Sequence, residues 1–125
     1  MKKIYYLKTC DTSLRIIKQI RENTNDAFFE EFTFQNIKAN PITAAELNEM
    51  HKLTSSYEVL FSRRAKKYHQ MGLKTQSLSE KDYKRFLLDE YTFLKRPVII
   101  IDNEIFVGNS KKNVDLLLNK LSSKK

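Results

Sequence analysis

One side chain in this 125-residue chain is a strong nucleophile, the single thiol of Cys10. It stands in Lys8-Thr9-Cys10-Asp11-Thr12-Ser13-Leu14-Arg15, after a short apolar run and before a change to helical spacing. A thiol at the start of a helix meets unpaired backbone N–H groups and the positive end of the helix dipole, which stabilise an anion. For cysteine that anion is the thiolate, the form that attacks, so the pKa of Cys10 is expected to be lowered. The same N–H groups can cradle an oxyanion or a carboxylate. Lys8 and Arg15 would add positive charge, and Asp11 would oppose them unless it turns away or caps the helix. Ser13 sits where a Cys-x-x-Cys motif would place its second thiol. A serine cannot resolve a mixed disulfide, so any turnover at Cys10 must be monothiol, completed by an outside thiol. Two other roles stay open: an inert thiol closing the sheet, or half of an intermolecular bridge. A turn after a strand is usually a surface feature, which favours the reactive thiol.

The composition closes off several other chemistries. A lone cysteine excludes an intramolecular disulfide framework and a cysteine-rich zinc site. Two histidines, His51 and His69, show no metal-ligand spacing, and no metal is expected. The longest apolar runs, such as Val98 to Ile101, are far too short to span a bilayer, and Ile4-Tyr5-Tyr6-Leu7 is too short for a signal peptide. A cytoplasmic protein is the expectation. The formal net charge is +8, from 23 Lys and Arg against 15 Asp and Glu, which attracts polyanions in general. That charge is spread along the chain, densest at Arg63, Arg64, Lys66 and Lys67 and at the Lys124-Lys125 tail, and no nucleic-acid-binding motif accompanies it. It reads as a solvated basic face, with no direct nucleic-acid contact.

The elements that must position Cys10 follow from pattern. Lys3 to Leu7 reads as a first strand, rich in aromatic and branched residues. From Thr12 the spacing is helical, with Leu14, Ile17 and Ile20 expected inward and Arg15, Lys18 and Arg21 outward. Asn23 to Asp26 is turn-like, and Phe28 to Phe34 reads as a second strand with Phe28, Phe32 and Phe34 on one face. Asn40-Pro41 ends that segment. Thr43 with Glu46, and Ser79 with Asp82, have the spacing of capping boxes that open helices. The first of these helices carries Leu47, Met50 and Leu53; the second carries Tyr83, Phe86, Leu87 and Tyr91. Between them Tyr57 to Lys67 reads as helical, with Gly72 as a stop. Val98 to Ile101 and Ile105 to Val107 form a hairpin around Asp102-Asn103-Glu104, and Val114, Leu117, Leu118 and Leu121 line a last helix. The order is β-α-β, a helical block, then β-β-α. The first unit needs a right-handed parallel crossover and the hairpin adds antiparallel strands, so the sheet is mixed. This is an α/β, thioredoxin-like arrangement: one domain over residues 1–121, a helical insertion at about 42–92, and a loose basic tail at 122–125.

Three stretches carry a resemblance over nearly the whole chain. Tyr6 to Arg15 with Cys10-Asp11-Thr12, the run Leu60-Phe61-Ser62-Arg63-Arg64-Ala65-Lys66-Lys67-Tyr68, and Lys95-Arg96-Pro97-Val98-Ile99-Ile100 through Val107-Gly108 resemble the arsenate reductase (ArsC) family. That family includes the glutaredoxin-like YffB group and the Spx regulators. The Cys-Asp-Thr start is similar to the YffB group, and the two later stretches are most similar to Spx. The resemblance implies a thioredoxin-like fold and a cysteine that attacks an oxyanion or a disulfide. By position it implies that Cys10 is the nucleophile, that Arg96 is one anion-binding arginine, and that Pro97 is the proline held cis in thioredoxin-like proteins. The arginine of the insertion falls on Arg63 or Arg64, with Arg64 favoured by the Ser-x-Arg-x-Lys pattern. Guanidinium suits such a role, being planar, always charged and able to fork onto an oxyanion. The alternative is that Arg63 and Arg64 are surface charge, and that Arg96 only pairs with Asp102 or Glu104.

The chain also departs from the family's patterns. Arsenate reductases of this type bring a third arginine after the final hairpin, where Val107-Gly108-Asn109-Ser110 has none, which argues against arsenate as the physiological substrate. The two-cysteine Spx switch is removed by Ser13. The expected function is therefore a monothiol oxidoreductase, arsenate-reductase-like or glutaredoxin-like. It would bind no resident cofactor and would use glutathione or another low-molecular-weight thiol as co-substrate. Its expected partners are a small oxyanion or mixed disulfide, and glutaredoxin. The alternative is an Spx-like regulator that binds RNA polymerase without catalysis.

Overall fold

The computed structural model describes Met1–Lys125, and the chain forms two compact units: Met1–Asn40 with Arg96–Lys125, and Pro41–Lys95. The first unit is built on a four-stranded sheet in the order β2-β1-β3-β4, with β1 at Lys2–Tyr6, β2 at Thr33–Asn36, β3 at Val98–Ile101 and β4 at Glu104–Val107. β1 runs parallel to β2 and antiparallel to β3, and β3 and β4 form the antiparallel hairpin. The mixed sheet is as the element order predicts. All four residues of β3 are buried, which is why it reads as an unbroken apolar run rather than an alternation.

Helix α1, Asp11–Glu22, follows β1 directly and packs on one sheet face. Its Ile16 and Ile20 join Ile4, Ile99, Ile101 and Phe106 of the sheet, and Leu117 and Leu121 of the last helix, in one core. The inward stripe of α1 differs from the one expected: Ser13, Ile16 and Ile20 are buried, Ile17 is half-buried, and Leu14 is 42% exposed. Beginning the helix at Cys10 turns position 13, not position 14, toward the sheet. That shift places a hydroxyl beneath the thiol.

The segment Phe28 to Phe34 is not one strand. Asn25 accepts the Phe28 N–H at 2.8 Å and caps a short helix, α2, at Asp26–Glu30, and the strand begins only at Thr33. Phe28 and Phe29 pack on Phe32 with ring centroids 5.8 and 6.3 Å apart, while Phe34 is 40% exposed. A local cap and an aromatic cluster override the alternation of Phe residues. Residues Ser122–Lys124 form a 3-10 turn, and Asn25 N–H donates to the Lys124 carbonyl at 2.7 Å, so the basic tail has a backbone tie.

The second unit is helical: α3 at Ala44–Thr54, α4 at Lys66–Gln70 and α5 at Glu80–Asp89, with α6 (Lys111–Leu121) belonging to the first unit. Both capping boxes form, Thr43 with Glu46 and Ser79 with Asp82, and Gly72 adopts φ +64° just past α4. The stretch from Tyr57 to Lys67 is not a continuous helix. Glu58–Leu60 makes a 3-10 turn, Phe61 bridges Leu94, and α4 starts at Lys66. Two long-range backbone bonds hold that extended stretch, Ser62 N–H to Phe93 O at 2.7 Å and Lys95 N–H to Leu60 O at 2.9 Å. Phe61, fully buried, stacks on Phe93 at 4.8 Å and tilts against Tyr83 at 5.0 Å.

Candidate active site

Cys10 lies at the strand-to-helix turn, half-buried and free, as the N-cap of α1. Its backbone is fixed at both ends: its N–H donates to Leu7 O at 2.9 Å, and its carbonyl accepts the Leu14 N–H at 3.1 Å. No side chain caps this helix by a hydrogen bond, the sulfur included. The backbone N–H and the hydroxyl of Ser13 act on the sulfur electrostatically as neighbouring donors. Ser13 is completely buried, and its hydroxyl has no hydrogen-bond partner, which leaves it available to an anionic sulfur beside it. The Arg96 guanidinium is a third donor to the sulfur and adds its charge.

These contacts decide the thiol's acidity. Partial burial pushes the Cys10 pKa up, but the two Ser13 donors and then the Arg96 guanidinium outweigh it, and the net pKa is lowered. A lowered pKa raises the thiolate fraction near neutrality, which is the requirement for attack. The positive charge comes from Arg96 rather than from Lys8 or Arg15, both of which are exposed. Ser13→Ala removes the hydroxyl and leaves the backbone donor. It is expected to raise the pKa and slow alkylation severalfold at acidic pH, read from the pH dependence of the alkylation rate. An unchanged profile would mean that the hydroxyl gives the thiolate nothing.

Arg96 precedes β3, and its peptide bond to Pro97 is cis. The acids that could have claimed it are engaged elsewhere. Asp102 binds Lys2 at 3.5 Å and the N-terminal amine at 3.2 Å, and Glu104 binds Lys120 at 2.6 Å. The two arginines of the helical unit differ. Arg63 pairs with Glu58 at 2.5 Å and donates to the Tyr83 hydroxyl at 3.1 Å. Arg64 is exposed, and its guanidinium meets no acid. Arg63 is thus committed within its own unit, while Arg64 is open to an anion. No group of three or more His, Cys, Asp or Glu residues gathers to hold a metal, and His51 stacks on Tyr57 at 4.1 Å. No helix is long and apolar enough to cross a membrane.

Ser13 has a role beyond standing in for a second thiol, as a buried neighbour that lowers the Cys10 pKa. The signal was available: the third residue of a helix directs its N–H at the N-cap, and a serine there adds a hydroxyl on the same side.

Comparison with known proteins places this geometry among relatives. The profile of the ArsC family matches residues 5–116. An ArsC family related protein from Bacteroides fragilis superposes with a TM-score of 0.74 at 20% identity, over 93% of this chain and 97% of that one. An arsenate reductase from Vibrio cholerae superposes with a TM-score of 0.72 at 11% identity, over 93% of this chain and 94% of that one. At such identities these two structures establish the fold alone. The global transcriptional regulator Spx 1 of Bacillus cereus is 26% identical over 84 residues, 66% of this chain; the match spans 64% of the regulator's length.

Proposed function

Because the chain belongs to the ArsC family, we propose that it is a monothiol oxidoreductase in which Cys10 attacks the mixed disulfide of a low-molecular-weight thiol such as glutathione. The observation that supports this reading most directly is the convergence of Ser13 and Arg96 on one half-buried sulfur at the start of α1. In the first step the Cys10 thiolate attacks the glutathione sulfur of a protein–glutathione disulfide. A Cys10–glutathione disulfide forms, and the protein's thiolate leaves and takes a proton from water. In the second step a glutathione thiolate attacks that adduct, releasing oxidised glutathione and restoring the Cys10 thiolate. One glutathione thiol is thereby oxidised into the released disulfide as the substrate's protein thiol is freed, and no second cysteine is needed. Arg96 holds the leaving and attacking sulfurs' negative charge near Cys10.

The test is turnover of a glutathionylated peptide with glutathione as reductant. Cycling that depends on Cys10, with a Cys10–glutathione adduct seen by mass spectrometry, is the expected result. An enzyme that neither forms the adduct nor turns over the peptide would sink the proposal. A second reading draws on the match to the Bacillus cereus regulator. In it the chain docks on RNA polymerase and performs no chemistry. That reading requires Cys10→Ser to be silent and a polymerase complex to be recoverable with the purified protein.

A further inference from the structure

The turn that follows β4 bears on a single stretch of backbone. Gly108 N–H donates to the Pro97 carbonyl at 2.8 Å, and Asn109 Nδ2 donates to the Arg96 carbonyl at 3.3 Å. Asn113 Nδ2 in turn donates to the Gly108 carbonyl at 2.8 Å, and Asn113 is itself fixed by donating its N–H to Ser110 Oγ at 3.2 Å, the cap of α6. Gly108 has φ +83°, a left-handed backbone that glycine tolerates best, and from there it reaches back to Pro97 while its carbonyl meets Asn113. Two consecutive carbonyls, those of Arg96 and Pro97, are therefore held from outside their own strand by the β4–α6 turn.

Arg96 is the residue whose guanidinium, by hydrogen bonding and charge, helps lower the Cys10 pKa. An arginine side chain has several rotatable bonds, so a donor at its tip stays in register with an acceptor only when its backbone is held. Asn109 is exposed and fills no core, and its amide makes its hydrogen bond to the Arg96 carbonyl. We propose that Asn109 is a positioning residue that, with the β4–α6 turn, fixes the Arg96 backbone from which the guanidinium acts on Cys10. The turn where a third arginine would stand thus contributes alignment instead of charge. The importance of this for turnover rests on the monothiol reading; the effect on the sulfur does not.

The experiment reads the thiol directly, as the pH dependence of iodoacetamide alkylation in wild type, Asn109→Ala, Arg96→Ala and the double variant, with thermal melts alongside. Asn109→Ala is expected to slow alkylation about two- to threefold at pH values below the thiol's pKa. Arg96→Ala is expected to slow it more, and adding Asn109→Ala to Arg96→Ala is expected to change nothing further. Two results would overturn the proposal. One is an Asn109→Ala profile that coincides with wild type, whatever its melting temperature. The other is an equal slowing by Asn109→Ala in the presence and absence of Arg96, which would place its action outside that arginine. Turnover of glutathionylated peptide is measured on the same samples. The expected alkylation pattern in a protein without turnover would keep the positioning role and remove the oxidoreductase.

Discussion

Cys10→Ser is expected to lower the rate of thiol transfer on the order of a thousandfold or more, while leaving the fold intact. A serine hydroxyl at physiological pH is almost wholly protonated and is a far weaker nucleophile than a thiolate, so the loss is chemical. Serine is also a good N-cap, so the substitution offers α1 an acceptor for its first N–H groups. The variant should separate from wild type in a second measurement, the dependence of stability on pH. The Cys10 pKa is lowered in the folded chain. In the unfolded chain it returns to about 8.5. A depressed folded-state pKa contributes stability that is fully present above the unfolded value and is lost as pH falls through the folded value. Wild type should therefore gain stability from this group as pH rises from its folded-state pKa to about 8.5, and Cys10→Ser should not. Denaturant unfolding at several pH values measures the difference. Parallel curves for the two proteins would show that the sulfur is not held as an anion by the fold.

Phe61→Ala is expected to cost about 3–5 kcal/mol of stability, the range for deleting a fully buried aromatic ring. Phe61 is inaccessible to solvent and touches the rings of Tyr68, Tyr83, Phe86 and Phe93. It also stands in the extended stretch that pairs with Leu94. Removing it leaves a cavity lined by four rings that were packed against a fifth. Domains are stable by only about 5–15 kcal/mol in total, so the helical unit should lose much of its margin. Urea unfolding checks the figure, and a loss below about 1 kcal/mol would mean that the neighbouring rings collapse into the space.

The elements that were legible in the sequence are those whose own residues decide their structure. The Val98–Ile101 strand announces itself by an unbroken branched run, and Thr43 and Ser79 announce their helices because a capping box is a local exchange of hydrogen bonds. The nucleophile's setting was legible for the same reason, since strand, turn and helix are adjacent in the chain. What escaped was decided over distance. Phe61 is extended because Ser62 and Lys95 find backbone partners more than 30 residues away, which no window around Phe61 contains. The phenylalanines from 28 to 34 alternate like a strand, yet Asn25 starts a helix before them. In α1 the difference of one residue between Leu14 and Ser13 on the inner face followed from where the helix begins. The commitment of Arg63 to Glu58 and Tyr83, which singles out Arg64, depends on Tyr83 arriving from α5.

Cys10 holds the N-cap position of α1 without a side-chain cap hydrogen bond, so the first N–H groups of the helix face whatever the sulfur carries. A thiolate accepts strongly from Ser13; a sulfur tied into a disulfide has lost its charge and is a poor acceptor. The charge that those N–H groups meet therefore changes each time the thiol is loaded or released.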